Sequence, residues 1–413
     1  MKQSGTPIKN LFLVLASVAF VFIATIGADR ALGVITRPPD LPEAIELIFP
    51  PFAEQHFKTV DFEYTVHTNA LGLRERELPR ERGDAYRILA IGDSYTYGWG
   101  VALEEAWPRL VENQLRDAGY NVEVLNLGKP GAGPPFYAEL AEQAIPLLRP
   151  DLVIVAMLQG NDLRDAGPET TGPAASTFWD KARALYPNLA RFMRDLRRER
   201  AFAGRTHEDF PPQTTTAEDN RRWTANTAQN FVEAMTPEQQ TRFNALEDPV
   251  KEAFLGGMLN PYMIDLAMQD PDAYTKAIDP EDPWTQVCIA RAAARFARIK
   301  DMAEQYDCRV VVASVPEGPY VNRVALENMA RVGYVMPAWL LETDGMDEGI
   351  RMACELASVP FYEVTEQFRA HKNDPDLYFE LDGHPTPKGN SLFSEAFTPI
   401  LKDIISAHAK PSP

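Results

Sequence analysis

The sequence predicts an α/β protein whose parallel sheet is covered by helices on both faces. Short, almost wholly apolar runs recur at residues 87–91, 122–127 and 151–158, and runs of this length are typical of strands buried on both sides. Stretches with helical spacing separate these runs, so strand and helix alternate along the chain. The alternation resumes near residue 309, after a long segment of different character.

Composition favours a globular protein and excludes several other classes. The 413 residues include 41 Lys and Arg against 59 Asp and Glu, a net charge of −18, so the chain lacks the basic surface that nucleic-acid binding needs. Hydrophobic residues make up 45%, which is enough for a sizeable core. The three cysteines, Cys288, Cys308 and Cys354, are too few for a disulfide scaffold or a four-thiolate zinc site.

The amino terminus predicts a single membrane anchor. Residues 1–10 are polar, and the apolar run at 11–28 is just long enough to span a bilayer as a helix. Lys2 and Lys9 precede this run, which favours a cytoplasmic amino terminus and a main domain on the periplasmic side of the inner membrane. A cleaved secretory signal and a buried helix of a soluble protein are the alternatives.

A linker and an amino-terminal arm are expected over residues 29–83. Clustered prolines in this range prevent a continuous helix. Thr59 to Val66 alternates polar and apolar residues, which predicts a strand, and Thr68 to Arg74 predicts a turn that leads into the domain.

The α/β domain is expected over residues 84–164 and 286–408. Its predicted strands are Arg87–Ile91, Val122–Leu127, Asp151–Leu158, Arg309–Val315 and Val359–Val364. Its predicted helices lie between Glu104 and Gly119, over Tyr137–Leu148, over Ala290–Tyr306 and after His384. Residues 165–285 interrupt this alternation and predict a mainly helical insertion or cap.

Ser94 is the candidate nucleophile. It follows the first strand of the sheet in Gly92-Asp93-Ser94 and opens a helix. The carboxyl end of a parallel strand is where α/β sheets bind ligands, and amides at a helix start can face a developing negative charge. The alternative is a helix N-cap, where Asp and Ser are both favoured.

The next two strands end in candidate hydrogen-bond donors. Gly128 closes the second strand, and Gly160-Asn161-Asp162 follows the third. We expect the Gly128 amide and the Asn161 carboxamide to lie beside Ser94, where fixed donors can stabilise charge on an acyl oxygen. Each residue alone is also typical of an ordinary turn.

His384 is the candidate base. It lies in the loop Asp382-Gly383-His384-Pro385, which enters the final helix. A nearby carboxylate can fix the imidazole tautomer and stabilise its positive charge, and Asp382 is the first candidate for that role. Glu380 is a second candidate, and a dyad without an effective acid is a third arrangement.

Taken in order, these residues resemble the sequence blocks of the SGNH, or GDSL-type, hydrolase superfamily. The resemblance covers about residues 84–165 and 286–400 and rests on Gly92-Asp93-Ser94, Gly128, Gly160-Asn161-Asp162 and Asp382 with His384. It implies a three-layer, flavodoxin-like α/β/α fold and acyl-ester chemistry without a metal or another cofactor. The turn Thr68 to Arg74, together with an anchor, resembles bacterial envelope members more weakly.

The resemblance also implies roles for individual residues. Ser94 would be the nucleophile and His384 the base, and the amides of Ser94 and Gly128 with the Asn161 side chain would bind the oxyanion. The usual aspartate stands three residues before the histidine, a position that Leu381 takes here. Some envelope members are similar to this chain in placing the aspartate two residues before it, as Asp382 is.

Four functions remain open from the sequence. The first is a membrane-anchored serine esterase acting on acyl esters, with O-acetyl groups of cell-envelope polysaccharide as substrate by analogy. The others are an O-acyltransferase of such a polysaccharide, a non-catalytic assembly or binding subunit of unknown protein partners, and a lipase. A lipase needs an apolar groove under the insertion, for which the candidates are Phe178, Trp179, Trp223, Phe231 and Phe254, although such aromatics are also typical of a helical core.

Overall fold

The computed structural model describes residues 6–35, 45–79, 82–166, 185–186, 188–189, 192–193 and 214–407. The chain divides into two compact units. The first comprises Met1–Asp40 and Thr170–Gly204, and the second comprises Leu41–Glu169 and Arg205–Pro413. The candidate site lies entirely in the second unit.

The first unit contains the long helix α1, Thr6–Ile35, which extends beyond the apolar run that predicted it. Asp29 in this helix is buried, and its carboxylate accepts hydrogen bonds from the Leu189 amide at 2.7 Å and Asn188 Nδ2 at 3.1 Å. None of the helices in the described ranges meets the combined length and hydropathy that a bilayer crossing requires. The predicted transmembrane anchor is therefore not confirmed.

The amino-terminal arm forms a small sheet. Its strands are β1, Glu54–Lys58, β2, Glu63–His67, and the later β6, Thr214–Thr215. β1 pairs antiparallel with β2 and parallel with β6. The prediction of one strand over Thr59–Val66 is wrong at its start, because β2 begins at Glu63. Thr59 Oγ1 accepts hydrogen bonds from the amides of residues 61 and 62, and these bonds close a turn before the strand.

The central sheet follows the predicted strands closely. Its strands are β3, Tyr86–Gly92, β4, Val122–Gly128, β5, Leu152–Leu158, β7, Arg309–Val315, and β8, Phe361–Tyr362. All neighbours pair in parallel, in the order β4, β3, β5, β7, β8. This is the flavodoxin-like order, with a topological switch point between β3 and β5. The predicted α/β fold with a parallel sheet is confirmed.

The helices of the second unit cover this sheet and build the cap. They are α2, Ser94–Tyr97, α3, Trp107–Asp117, α4, Pro134–Leu148, α5, Ala217–Ala234, α6, Pro237–Asn244, α7, Asp248–Leu255, α8, Pro261–Gln269, α9, Pro283–Glu304, α10, Gly318–Val321, α11, Arg323–Arg331, α12, Gly345–Ala357, α13, Thr365–Arg369, and α14, Pro387–Ser406.

The hydrophobic core lies on both faces of the sheet. Alternate strand residues such as Ile88 and Ile154 share a core with Val111 of α3 and Phe397 of α14. The intervening strand residues, such as Leu89, are equally buried, and α4, α9 and α12 pack together as the second helical layer. Strands buried on both faces explain the near-continuous apolar runs in the sequence.

The described part of the insertion is helical, as the sequence predicted. Helices α5 to α8 pack onto the core, and Phe254 and Ile264 are fully buried in it. Phe254 is therefore a core residue and does not line a lipid groove. Phe178 and Trp179 lie outside the described residues.

Candidate active site

The local sequence at the end of β3 presents Ser94 to the site. A Cβ on Gly92 would meet Thr96 Oγ1 at 2.1 Å, so the chain can turn this tightly only with glycine. The Asp93 carboxylate accepts a hydrogen bond from the Tyr95 amide at 2.9 Å and caps α2. Asp93 thus takes the capping role that Ser94 could have had.

Ser94, His384 and Asp382 form a continuous hydrogen-bonded chain. Ser94 Oγ lies 2.7 Å from His384 Nε2, and His384 Nδ1 lies 2.5 Å from Asp382 Oδ1. Because Nδ1 faces a carboxylate it carries the proton, and Nε2 accepts a hydrogen bond from the Ser94 hydroxyl. In this arrangement the imidazole can remove the serine proton.

The amino-terminal arm and the loop after α2 hold Asp382 in place. Trp99 Nε1 donates to Asp382 Oδ2 at 3.2 Å. The Asp61 carboxylate, from the turn between β1 and β2, accepts hydrogen bonds from the amides of Leu381 at 2.9 Å and Asp382 at 2.8 Å. Both carboxylate oxygens of Asp382 are therefore occupied, which fixes the orientation of the side chain.

Asp382, and not Glu380, contacts the imidazole. Glu380 instead pairs with Arg331 at the surface, where the Glu380 side chain is 61% exposed. Asp382 is 2% exposed, and this burial strengthens its electrostatic effect on His384.

The environment of His384 has two opposing effects on its pKa. Burial disfavours the charged imidazolium and would lower the pKa. The charge and hydrogen bond of Asp382, together with the charges of Asp93 and Glu317, outweigh burial, so the pKa of His384 lies above its usual value of 6.5. The site therefore stabilises the imidazolium that forms when His384 accepts a proton.

The candidate oxyanion donors differ in part from the prediction. Asn161 lines the same cavity as Ser94, and its Nδ2 donates to Asp165 at 3.2 Å, which leaves one N–H of the carboxamide for an acyl oxygen. The Gly128 amide donates to Asn126 Oδ1 at 2.9 Å and is buried in the fold, so the prediction for Gly128 does not fit this geometry.

Gly131 occupies the place that the prediction gave to Gly128. It lines the cavity beside Ser94, and its φ of 72° lies in the left-handed region that favours glycine. Within the described part of the chain, the Gly131 amide has no hydrogen-bond partner. The geometry therefore makes Gly131 the better candidate for the backbone donor.

Two cavities meet at Ser94 and His384. The inner cavity, of about 180 Å³, lies between the ends of β5 and β7 and the cap, and its polar lining includes Arg164, Tyr274 and Glu317. The outer cleft, of about 790 Å³, lies between β1 and the cap, and its aromatic lining is Phe57, Trp99, Trp223 and Tyr262. The groups on the two sides of Ser94 and His384 thus differ, with a small polar cavity on one side and a larger aromatic cleft on the other.

Two buried carboxyl groups lie behind the nucleophile. Burial raises the pKa of Asp93 to about 6. Burial and the charge of Asp93 also raise the pKa of Asp162 well above its usual range. Asp162 accepts hydrogen bonds from the Tyr137 hydroxyl and the Leu158 amide, each at 2.9 Å, and so connects α4 to β5. Its role is structural.

The residues that the sequence did not identify fall into two groups. The sequence contains a feature that could have identified Gly131 and Glu317 as site residues. Gly131 shares a glycine-rich turn with Gly128, and Glu317 follows the carboxyl end of β7. The sequence contains no such signal for Asp61 and Trp99, because only the folded arm brings Asp61, and only the folded loop after α2 brings Trp99, to Asp382.

Residues 90–257 match the model of the GDSL-like lipase/acylhydrolase family. This segment contains Ser94, Gly131 and Asn161, whereas Asp382 and His384 lie beyond it. Over this segment the chain is similar to the GDSL-like lipase/acylhydrolase family.

Among curated proteins, no match is found. Similar solved structures include a psychrotrophic esterase EstA from Pseudoalteromonas sp., with 9% identity and a TM-score of 0.35, covering 78% of this chain and 99% of that one. A lipase/acylhydrolase from Enterococcus faecalis has 11% identity and a TM-score of 0.35, covering 79% and 98%. The acetyl xylan esterase AlAXEase has 10% identity and a TM-score of 0.35, covering 76% and 99%. At these scores the argument for function depends on the site itself.

Proposed function

We propose that the chain is a serine ester hydrolase in which Ser94 is the nucleophile, His384 the general base and Asp382 the group that orients His384. The observation that carries this proposal is the chain of hydrogen bonds from Ser94 Oγ to His384 at 2.7 Å and from His384 to Asp382 at 2.5 Å. Nucleophile and base are within hydrogen-bond reach, and a third group orients the base.

The reaction proceeds in two halves. Ser94 Oγ attacks the ester carbonyl carbon while His384 Nε2 takes the hydroxyl proton, and the carbonyl oxygen gains the negative charge. The amides of Ser94 and Gly131 and the Asn161 carboxamide stabilise that oxyanion. His384 then gives its proton to the leaving alcohol as the C–O bond breaks, which leaves an acyl group on Ser94.

Water completes the cycle. His384 takes a proton from a water molecule as its oxygen attacks the acyl carbon, and the imidazolium returns the proton to Ser94 Oγ when the acid leaves. If a sugar hydroxyl replaces water in this step, the same residues transfer the acyl group, so an O-acyltransferase is the alternative reaction of this site.

The two cavities support a substrate with a short acyl group and a larger alcohol. The inner cavity of about 180 Å³ can take a group of the size of acetyl, and the outer cleft of about 790 Å³ has room for a saccharide. Trp223 and Tyr262 on the outer cleft offer flat apolar faces on which a sugar ring can stack. We therefore include short O-acyl groups of cell-envelope polysaccharide, O-acetyl among them, as the proposed substrate.

An extracytoplasmic location is part of the same proposal. Its support is the apolar run 11–28 with Lys2 and Lys9 before it, which is the pattern of an anchored or exported chain. A polysaccharide of the cell envelope would be accessible to a domain on that side.

The test of the proposal is ester turnover by the full-length chain. We expect p-nitrophenyl acetate and p-nitrophenyl butyrate to be hydrolysed, and kcat to fall by at least about 10³-fold in Ser94→Ala and in His384→Ala. Far-UV circular dichroism and the melting temperature of each variant serve as the folding control. A correctly folded wild-type chain that turns over neither ester would favour the O-acyltransferase or the non-catalytic assembly subunit.

A further inference from the structure

The inner cavity contains a buried carboxylate for which the ester reaction has no use. Glu317, the second residue after β7, is 8% exposed and lines the cavity together with Ser94. Glu317 Oε1 accepts a hydrogen bond from the Tyr274 hydroxyl at 2.8 Å, which fixes the side chain. Within the described residues, buried Glu317 Oε2 has no hydrogen-bond partner. A buried acceptor without a donor is unfavourable, and a substrate group that enters the cavity can supply the missing donor.

Glycine at position 160 makes room for this oxygen. A Cβ at residue 160 would lie 1.4 Å from Glu317 Oε2, so the carboxylate fills the space that any other side chain would take. Gly160 directly precedes Asn161, a candidate oxyanion donor. The unpartnered oxygen therefore packs against the residue that precedes a candidate oxyanion donor.

The nearby charges do not neutralise Glu317 by direct pairing. Arg164 lines the same cavity, but it forms its ion pair with Asp165 and donates from Nη1 to the Ala273 carbonyl at 3.1 Å. Burial is the larger effect on Glu317 and raises its pKa to about 7. The cavity thus offers one fixed acceptor among largely apolar neighbours such as Met263 and Leu266.

We propose that Glu317 binds the acyl group of the ester, and that the preferred acyl group carries a hydrogen-bond donor, a hydroxyl or an ammonium group, for Glu317 Oε2. This inference rests on the proposed esterase function. The small volume of the inner cavity, about 180 Å³ against about 790 Å³ for the outer cleft, assigns the acyl side to it. A site built to bond a polar substrate group discriminates strongly against the analogue that lacks that group.

The test compares p-nitrophenyl esters of butyrate, 3-hydroxybutyrate and 3-aminobutyrate, which differ in a single group. In the wild-type chain we expect kcat/KM for at least one of the two donor-bearing esters to exceed that for butyrate by about 10-fold or more. Glu317→Met removes the acceptor at similar length, so the preference should disappear, measured within this variant as the ratio of kcat/KM for the donor-bearing ester to kcat/KM for butyrate. Glu317→Gln keeps an acceptor for the Tyr274 hydroxyl but removes the charge. This variant distinguishes the two kinds of substrate, because it should abolish a preference for the ammonium ester and only weaken a preference for the hydroxyl ester.

The outcomes separate this inference from the proposed function. If Ser94-dependent hydrolysis of butyrate occurs but no donor-bearing ester is preferred, or the preference survives in Glu317→Met, the role of Glu317 is refuted and the esterase stands. A higher kcat/KM for the acetate ester of glycerol than for that of propanol, with no such preference among the acyl groups, would place the donor on the alcohol side and would also refute the role of Glu317. If no ester is turned over, the proposed function itself fails. The melting temperature of each Glu317 variant shows whether it is folded.

Discussion

Asp382 has the most direct influence on the chemistry of His384. It is buried, it bonds Nδ1, and its second oxygen is held by the Trp99 indole. These contacts hold one tautomer and keep Nε2 directed at Ser94. Because the base must be neutral to accept a proton, activity should increase as pH rises through the pKa of His384.

The pH dependence of kcat/KM tests this role. In the wild-type chain the acidic limb should have its midpoint above 6.5, since Asp382 raises the pKa of His384 against the effect of burial. In Asp382→Asn the largest opposing charge to burial is gone, so the midpoint should move to lower pH while the plateau falls by roughly 10²- to 10⁴-fold. An unchanged midpoint in this variant would show that Asp382 does not control His384. Glu380→Gln, at the surface, should leave the profile as it is.

Asn126 and Asn161, at the ends of the two strands that flank β3, should respond differently to truncation. Asn161 faces the cavity, and Asn126 is buried, where it binds the Gly128 amide and the Thr96 carbonyl. Asn161→Ala should lower kcat by about 10²- to 10³-fold with little change in melting temperature, because an oxyanion donor acts in the transition state. Asn126→Ala should instead cost about 1–3 kcal/mol of unfolding free energy. The reverse pattern would place the oxyanion donor at the end of β4.

The amino-terminal arm is an element of the site as well as of the fold. Arg74 is 2% exposed, and its guanidinium donates to the carbonyls of Tyr97 at 2.7 Å and Gly98 at 2.6 Å, and to that of Val101 at 2.5 Å. This loop carries Trp99, which bonds Asp382. Arg74 is therefore a positioning residue that acts through the loop.

Loss of Arg74 should affect both stability and the site. Arg74→Met removes the guanidinium donor from three carbonyls, so we expect the free energy of unfolding measured with denaturant to fall by about 2–4 kcal/mol. Arg74→Lys keeps the charge but not the planar arrangement of donors, and should retain only part of the stability. If both variants unfold like the wild-type chain, the arm does not hold this loop.

The elements that the sequence predicts well are those with a local cause. Strands such as Arg309–Val315 are marked by their own apolar runs, and the observed strand has the same bounds. The arm is predicted less well, because the turn at Thr59 depends on hydrogen bonds that the alternation of residue types does not reveal. The site residues differ in the same way. Ser94 and His384 can be predicted from the sequence of their own loops, whereas the role of Asp61 arises only when the arm folds against residues 381 and 382.

Several buried groups of the whole molecule favour their protonated state. Burial raises the pKa of Asp93 to about 6 and that of Glu317 to about 7, and the pKa values of Asp162 and His384 are raised as well. A folded chain that holds protons more tightly than the unfolded chain loses stability as pH rises through these pKa values. The net charge of −18 also destabilises the folded chain at higher pH, because its acidic groups repel one another.

The melting temperature should therefore be higher at pH 5.5 than at pH 8.0. A change of one in the pKa of a group on folding corresponds to about 1.36 kcal/mol of unfolding free energy. We therefore expect the two melting temperatures to differ by at least about 2 °C. Glu317→Gln removes one of the titrating groups and should reduce the difference. A higher melting temperature at pH 8.0 would mean that these carboxyl groups are ionised in the folded chain without penalty.

The measurement that tests the central claim most directly is covalent labelling of the full-length chain with a fluorophosphonate, followed by intact mass and peptide mapping. We predict a single adduct on Ser94, absent in Ser94→Ala and formed at least about 10²-fold more slowly in His384→Ala, because the probe reacts only with a serine that a base activates. No adduct on the folded wild-type chain, or equal labelling of Ser94→Ala, would contradict the assignment of Ser94 as an activated nucleophile.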